Sequence, residues 1–218
     1  MTSRCLSANT YLEFDLGLNL FGAACIGHRL FIGRTSELQD MENILLPNSN
    51  SLEQRVLILG GMGGIGKTQL AITYAHRHRT SYTSIFWLNA NSETTLTGSL
   101  RLVARRILPP NAESRCDNDQ VWIHVSTWLS QLENSRWLLI FDNYDKPEQY
   151  SITKYYPYVS HGSIIITTRL PERLNGEKIR VQPVAKLEDS LHILETRSGR
   201  KDIQSGDSCL IFILRKSY

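Results

Sequence analysis

Arg55-Val56-Leu57-Ile58-Leu59-Gly60-Gly61-Met62-Gly63-Gly64-Ile65-Gly66-Lys67-Thr68-Gln69-Leu70-Ala71 is the stretch whose reading decides the fold. Arg55 to Leu59 is a short apolar run closed by glycines, the pattern of a strand buried on both faces. Thr68 to Arg77 follows with Leu70, Ala71, Tyr74 and Ala75 on one side of a helix. Between them lies a loop of four glycines in six residues. Glycines let the backbone turn back on itself, so that successive N–H groups point inward at one anion. The helix that starts near Lys67 directs its positive end at the same place.

Gly61-x-x-x-x-Gly66-Lys67-Thr68 has the full spacing of a P-loop, in the strand–loop–helix setting that the loop requires. Lys67 is the group that reaches the β- and γ-phosphates, and the Thr68 hydroxyl is the one offered to Mg²⁺. The stretch therefore implies a site for the phosphates of a purine nucleotide, ATP or ADP.

Outward from the loop, apolar runs alternate with helical stripes. Leu38, Met41, Ile44 and Leu45 recur at helical spacing from Thr35, and Pro47 stops that run. Ser84–Leu88, Arg136–Phe141, Ser163–Thr167 and a short Ile179–Val181 read as further strands. Thr94 to Ile107 reads as a helix ended by Pro109-Pro110, and Leu187 to Leu194 as another. Val121, Trp122, Val125, Trp128, Leu129 and Leu132 form a helical stripe whose two tryptophans belong to a core. Strands alternating with helices predict an α/β domain with a parallel sheet covered on both faces. On such sheets ligands bind at the carboxyl ends of the strands.

Two further groups fall at those ends. Leu138-Leu139-Ile140-Phe141 runs into Asp142. A carboxylate there is what a P-loop site uses to hold Mg²⁺, so Thr68 and Asp142 are the expected metal ligands. Asp145 is a candidate for polarising an attacking water, and equally a cap for the turn before Pro147. Ser163 to Arg169 puts two hydroxyls and an arginine at the next strand end, where Arg169 could sense a terminal phosphate.

The bulk composition narrows the class. A chain of 218 residues with 41% hydrophobic and 21% charged residues can bury a core. Its net charge of +3 is too small for a nucleic-acid binder. Arg101, Arg105 and Arg106 read as a solvated helix face, and His76 and His78 as complements to a helix end. No apolar stretch reaches the roughly 18 residues of a membrane span. Glu13 and Asp15 precede the apolar Leu16–Ile26 where a secretory signal carries positive charge. Cys5, Cys25, Cys116 and Cys209 have no metal-ligand spacing and read as reduced thiols, in keeping with a cytoplasmic setting.

Taken together, these residues resemble the nucleotide-binding domain of the NB-ARC class, within the STAND group of P-loop ATPases. That group comprises switch proteins of innate immunity and apoptosis, with many fungal relatives. The fungal members are similar in Tyr74-Ala75-His76-Arg77, in Ile85-Phe86-Trp87-Leu88-Asn89-Ala90 and in Leu139-Ile140-Phe141-Asp142-Asn143-Tyr144-Asp145. Phe31-Ile32-Gly33-Arg34-Thr35-Ser36-Glu37 resembles the segment that lies against adenine in the family, with Thr35 where the first Glu is usual. Gly60 to Thr68 matches Walker A, Leu138 to Asp142 matches Walker B, and Gly162 to Arg169 matches the sensor segment.

The resemblance implies a three-layer P-loop NTPase fold with a five-stranded sheet in the order 2-3-4-1-5. It also implies nucleotide contacts from Phe31, Ile32, Arg34, Gly61, Met62, Gly63, Gly64, Ile65, Gly66, Lys67, Thr68 and Gln69. Lys67, Asp142, Asp145 and Arg169 are the candidates for any chemistry. The family's helical subdomain and winged-helix subdomain have no counterpart here, so the chain reads as a truncated member. Residues 1–26 form a leader, 27–200 the nucleotide-binding domain and 201–218 an atypical tail. Asn143 stands where many relatives carry a second acid, which implies at most a slow ATPase. The expected role is an ADP/ATP-binding module of an NLR-like switch, with self-association or pairing with NLR-like relatives. A stand-alone ATPase or kinase and a non-enzymatic interaction fragment are the alternatives.

Overall fold

The computed structural model describes residues 33–46, 53–109 and 116–183. Five strands form its centre: β1 (Arg55–Gly60), β2 (Ser84–Asn89), β3 (Trp137–Asp142), β4 (Ser163–Thr168) and β5 (Glu177–Arg180). They pair in the order β2-β3-β4-β1-β5, and every pairing is parallel. Every residue of β3 and of β4 is buried, as continuous apolar runs require when both faces are covered. On the edge strand β5 only Ile179 is buried. Its neighbours Lys178 and Arg180 carry the charge that discourages further strand pairing.

Strand side chains alternate between faces, and the alternation divides the core in two. Ile58, Phe86, Leu88, Leu139, Phe141, Ile164 and Ile166 pack on one face with α3 (Glu93–Ile107) and α4 (Asn118–Leu129). Leu57, Leu59, Ile85, Leu138, Ile140 and Ile165 pack on the other with α1 (Thr35–Leu45) and α2 (Lys67–Arg77). The result is the three-layer α/β sandwich expected of a P-loop NTPase. Each fully buried Leu or Ile in these layers contributes about 1.5–3 kcal/mol relative to exposure.

Local chemistry sets the helix starts. Ser92 and Thr95 form a reciprocal capping box at the head of α3, as Asp117 and Gln120 do for α4. The expected helix and strand boundaries agree to within one to three residues.

Four readings are refined. Leu132 does not extend the α4 stripe: the helix ends at Leu129, and Leu132 sits in a following 3₁₀ turn at 78% exposure. Trp122 and Trp128 are half-buried against the core, not inside it. Arg101 is more than a solvated arginine, because its guanidinium bonds Asn118 Oδ1 at 2.9 Å and the Cys116 carbonyl at 3.1 Å, tying α3 to the start of α4. His78 lies 3.0 Å from Glu42 Oε1 and links α2 to α1. The leader, Phe31, Ile32, the expected 187–194 helix and the 201–218 tail lie outside the described residues.

Candidate functional site

β1, β3 and β4 end side by side, and the loops that leave them build the site. The turn after β1 holds Gly61 at φ +148° and Gly66 at φ +99°. An L side chain rarely adopts either conformation, so glycine is required at both. A Cβ on Gly61 would also lie 2.7 Å from the Val181 carbonyl oxygen. Gly66 is the N-cap of α2 and brings no side chain to the first-turn amides. Those N–H groups, with the helix dipole behind them, form a site for an anion.

Lys67 is buried at 9% exposure, with Nζ donating to the carbonyls of Gly61 at 2.7 Å and Met62 at 2.9 Å. Burial lowers its pKa below the usual lysine value; Asp145 and Asp142 favour its charge and Arg169 opposes it. Gln69 is half-buried in the first turn of α2, and Met62 stands 52% exposed on the loop.

Asp142, at the end of β3, is 6% exposed. Its Oδ1 accepts from the hydroxyls of Thr68 at 2.8 Å and Thr167 at 2.6 Å, and its Oδ2 from Asn143 Nδ2 at 3.3 Å. Burial pushes the carboxyl above the ordinary aspartate value, and the two hydroxyl bonds partly counter that push. Thr68 Oγ1 and Asp142 Oδ1 thus form a compact pair of hard oxygens. Mg²⁺ in phosphate-transfer sites uses one or two protein oxygens of this kind and completes its shell from phosphates and water, so the pair fits the ion.

Asn143 has φ +65° and donates its N–H to Thr167 Oγ1 at 2.9 Å. The Tyr144 N–H bonds the Thr167 carbonyl at 2.9 Å. This turn carries the chain to Asp145, whose two oxygens both meet Arg169. Oδ1 accepts the Arg169 backbone N–H at 2.8 Å, and Oδ2 lies 2.9 Å from Nε. The Arg169 guanidinium lies over the glycine loop: a Cβ on Gly63 would come within 3.1 Å of its Cζ and Nη2.

Arg34 also reaches the loop. It caps α1 with φ +56°, and its guanidinium bonds the Ile65 carbonyl at 2.7 Å and Glu37 Oε1 at 3.0 Å. Of the residues expected at the site, Arg34, Gly61 to Gln69, Asp142, Asp145 and Arg169 are therefore gathered around one loop. Sequence reasoning did not identify Thr167 as a partner of Asp142, nor Glu37 as the anchor of Arg34. The hydroxyl-bearing end of β4 was the visible signal for the first; nothing in the spacing singled out the second.

Among the described residues no helix is long and apolar enough to cross a membrane. Comparison with solved structures supports the fold. A STAND protein with a tetratricopeptide repeat sensor from Pyrococcus horikoshii is 17% identical with a TM-score of 0.50, matching 86% of this chain and 32% of its own. The Cdc6p structure from Pyrobaculum aerophilum is 15% identical with a TM-score of 0.54, over 84% of this chain and 52% of its own. Drosophila ORC bound to DNA is 13% identical with a TM-score of 0.56, over 88% of this chain and 53% of its own. At these identities the likeness is one of fold.

In sequence, the chain is 27% identical over 186 residues to a nucleotide-binding leucine-rich repeat (NLR)-like protein of Hyaloscypha variabilis. That alignment takes in 76% of this chain but 18% of the relative, so the chain spans about a fifth of that relative's length. The NB-ARC domain model matches residues 34–202, a span that contains the glycine loop, Asp142 and Arg169. Over most of its length, then, the chain belongs to the NB-ARC domain family.

Proposed function

We propose that this chain binds ADP and ATP with Mg²⁺ at the Gly61–Thr68 loop, as the nucleotide-binding module of an NLR-like signalling switch. One observation carries the reading: two groups far from the loop in sequence, Asp142 and Arg169, meet it. The Asp142 carboxylate accepts from Thr68, and the Arg169 guanidinium lies where a Cβ added to Gly63 would come within 3.1 Å of it. In this reading the loop amides and Lys67 bind the phosphates, Thr68 and Asp142 hold the metal, and Arg169 faces the terminal phosphate. Held there, Mg²⁺ would supply positive charge against the phosphates. Arg34 braces the loop through Ile65. A nucleotide shifts a conformational equilibrium only by its differential affinity for the two states, and contact between Arg169 and the γ-phosphate is the source of that difference here.

Slow hydrolysis belongs to the same proposal. Asp142 accepts from three donors and Asp145 engages Arg169 through both oxygens. Both carboxylates are thus engaged by protein donors, and Asn143 supplies no further acid. Turnover of Mg·ATP is expected below about 1 s⁻¹, the lower end of the kinase range. Turnover above that would favour a stand-alone ATPase or kinase. A cytoplasmic setting and self-association, or association with NLR-like relatives, complete the reading, and size-exclusion chromatography with and without ADP tests self-association.

The test of the site is calorimetric titration of Mg·ADP and Mg·ATP into the wild type and Lys67→Ala. Removing a charged phosphate contact is expected to weaken both nucleotides by roughly ten- to a hundredfold. Undiminished binding by the variant would overturn the assignment.

A further inference from the structure

Asp145 and Arg169 are 24 residues apart and joined twice, by backbone N–H to Oδ1 and by Nε to Oδ2. The double attachment fixes both the start of the loop after β4 and the guanidinium at the tip of the side chain. The Arg169 side chain is 64% exposed, whereas that of Asp145 is 22% exposed. The acid is thus the settled member and the arginine the one that needs holding. A guanidinium presents five N–H donors in a rigid fork. Asp145 engages Nε, and the guanidinium packs over Gly63, where a Cβ would come within 3.1 Å of Cζ and Nη2 and 3.4 Å of Nε, which leaves the Nη donors unused by Asp145.

The aspartate is itself aimed by the turn before it. Asn143 adopts φ +65°, its N–H is held by Thr167 Oγ1, and the Asp145 N–H bonds the Asn143 carbonyl at 2.9 Å. The end of β3 therefore delivers a carboxylate to the arginine at the end of β4. Thr167 serves both Asp142 and this turn.

We infer that Asp145 is a positioning residue that holds the Arg169 guanidinium over the loop and so sets how strongly the site prefers a nucleoside triphosphate over a diphosphate. The inference rests on the nucleotide-binding reading above and adds to it. Asp145 acts through Arg169 and takes no proton from water. A long side chain fixed in advance loses less freedom on meeting its phosphate. That gain exists only for a ligand whose last phosphate reaches Arg169.

The test is a double-mutant cycle on the full chain. Affinities for Mg·ATP and Mg·ADP are measured by calorimetry for wild type, Asp145→Ala, Arg169→Ala and the pair. Asp145→Ala is expected to lower the ATP-over-ADP preference about three- to tenfold, with ADP affinity little changed. In the Arg169→Ala background the same substitution is expected to change nothing further. Asp145→Asn, which keeps an acceptor for the Arg169 N–H, is expected to fall between wild type and alanine. It also keeps the test open if the alanine variant fails to fold. Equal loss for both nucleotides, an effect that persists without Arg169, or a rise in ATP preference would overturn the inference. So would a loss of turnover with ATP affinity intact, which would make Asp145 a base. Failure of the underlying reading looks different: wild type would bind neither nucleotide, or Lys67→Ala would bind as well as wild type.

Discussion

Arg34 and Asn143 are the two non-glycine residues with left-handed backbone among the described residues, at φ +56° and +65°, and both touch the site. Such conformations cost on the order of 1–3 kcal/mol when held by their surroundings, and they gather where geometry matters. Asparagine tolerates this region better than most residues. Asn143→Gly is therefore expected to leave stability within about 0.5 kcal/mol, whereas Asn143→Val is expected to lose about 1–2 kcal/mol. Urea unfolding of the two variants checks both signs.

Asp142 offers a pH test at the same scale. Its folded pKa is raised by burial. A group of that kind adds stability fully only below its unfolded pKa, and the contribution is lost as pH rises through the folded value. At neutral pH the buried charge therefore opposes folding. Asp142→Asn, which keeps an oxygen for the Thr68 and Thr167 hydroxyls, is expected to raise the melting temperature of the nucleotide-free chain. It should also abolish the Mg²⁺-dependent part of nucleotide binding. In the wild type that part should decline on acidification, beginning above the ordinary aspartate range. A variant with lower melting temperature and intact Mg²⁺ dependence would contradict the role.

The residues at this scale were unevenly legible. Glycine spacing, Lys67, Thr68 and Asp142 could be read from local pattern because each has a fixed offset from a strand or helix end. The Arg34–Ile65 and Asp145–Arg169 contacts could not. Each joins segments far apart in sequence, and each depends on a backbone turn at a residue that does not announce it.

At the scale of elements, the capping boxes and the α3–α4 tie make specific claims. Ser92 accepts the Thr95 N–H at 3.2 Å, and Thr95 Oγ1 accepts the Ser92 N–H at 3.0 Å. Ser92→Ala should cost about 1 kcal/mol. Arg101→Ala should cost a similar amount, about 1 kcal/mol, since a part-buried hydrogen bond to the Cys116 carbonyl goes with it. Both are read from the urea midpoint with an unchanged slope. A loss below about 0.3 kcal/mol for Arg101→Ala would return it to the solvated face that the Arg101, Arg105, Arg106 spacing suggests.

The strands were plain in the sequence because burial on both faces leaves nothing but apolar residues between their ends. Leu132 misled because helical spacing continues past the point where the helix stops. Ser130, the C-cap of α4, donates its backbone N–H to the Ser126 and Thr127 carbonyls, and Gln131 donates its own to Trp128, which closes the helix before Leu132 is reached.

At the scale of the whole molecule, the strand order β2-β3-β4-β1-β5 sets β1 between β4 and β5. That places the glycine loop next to Arg169 and one strand away from Asp142. No run of residues carries this order; it came from the family resemblance, because strand neighbours are chosen by long-range packing that local pattern does not encode. The order makes the three loops one site, so a nucleotide bound there should stabilise the whole domain. At a hundredfold excess over its dissociation constant the gain is about 2.7 kcal/mol. Thermal unfolding with Mg·ADP should show it in the wild type and lose most of it in Lys67→Ala.

The most direct measurement is an NMR titration of the ¹⁵N-labelled chain with Mg·ADP, following the backbone amides. The account expects the largest shifts at Gly61 to Thr68, with smaller ones at Asp142 to Asp145. Shifts confined to the opposite end of the sheet, around Gln54, Tyr156 and Tyr158, or no saturable shift at the loop, would contradict it.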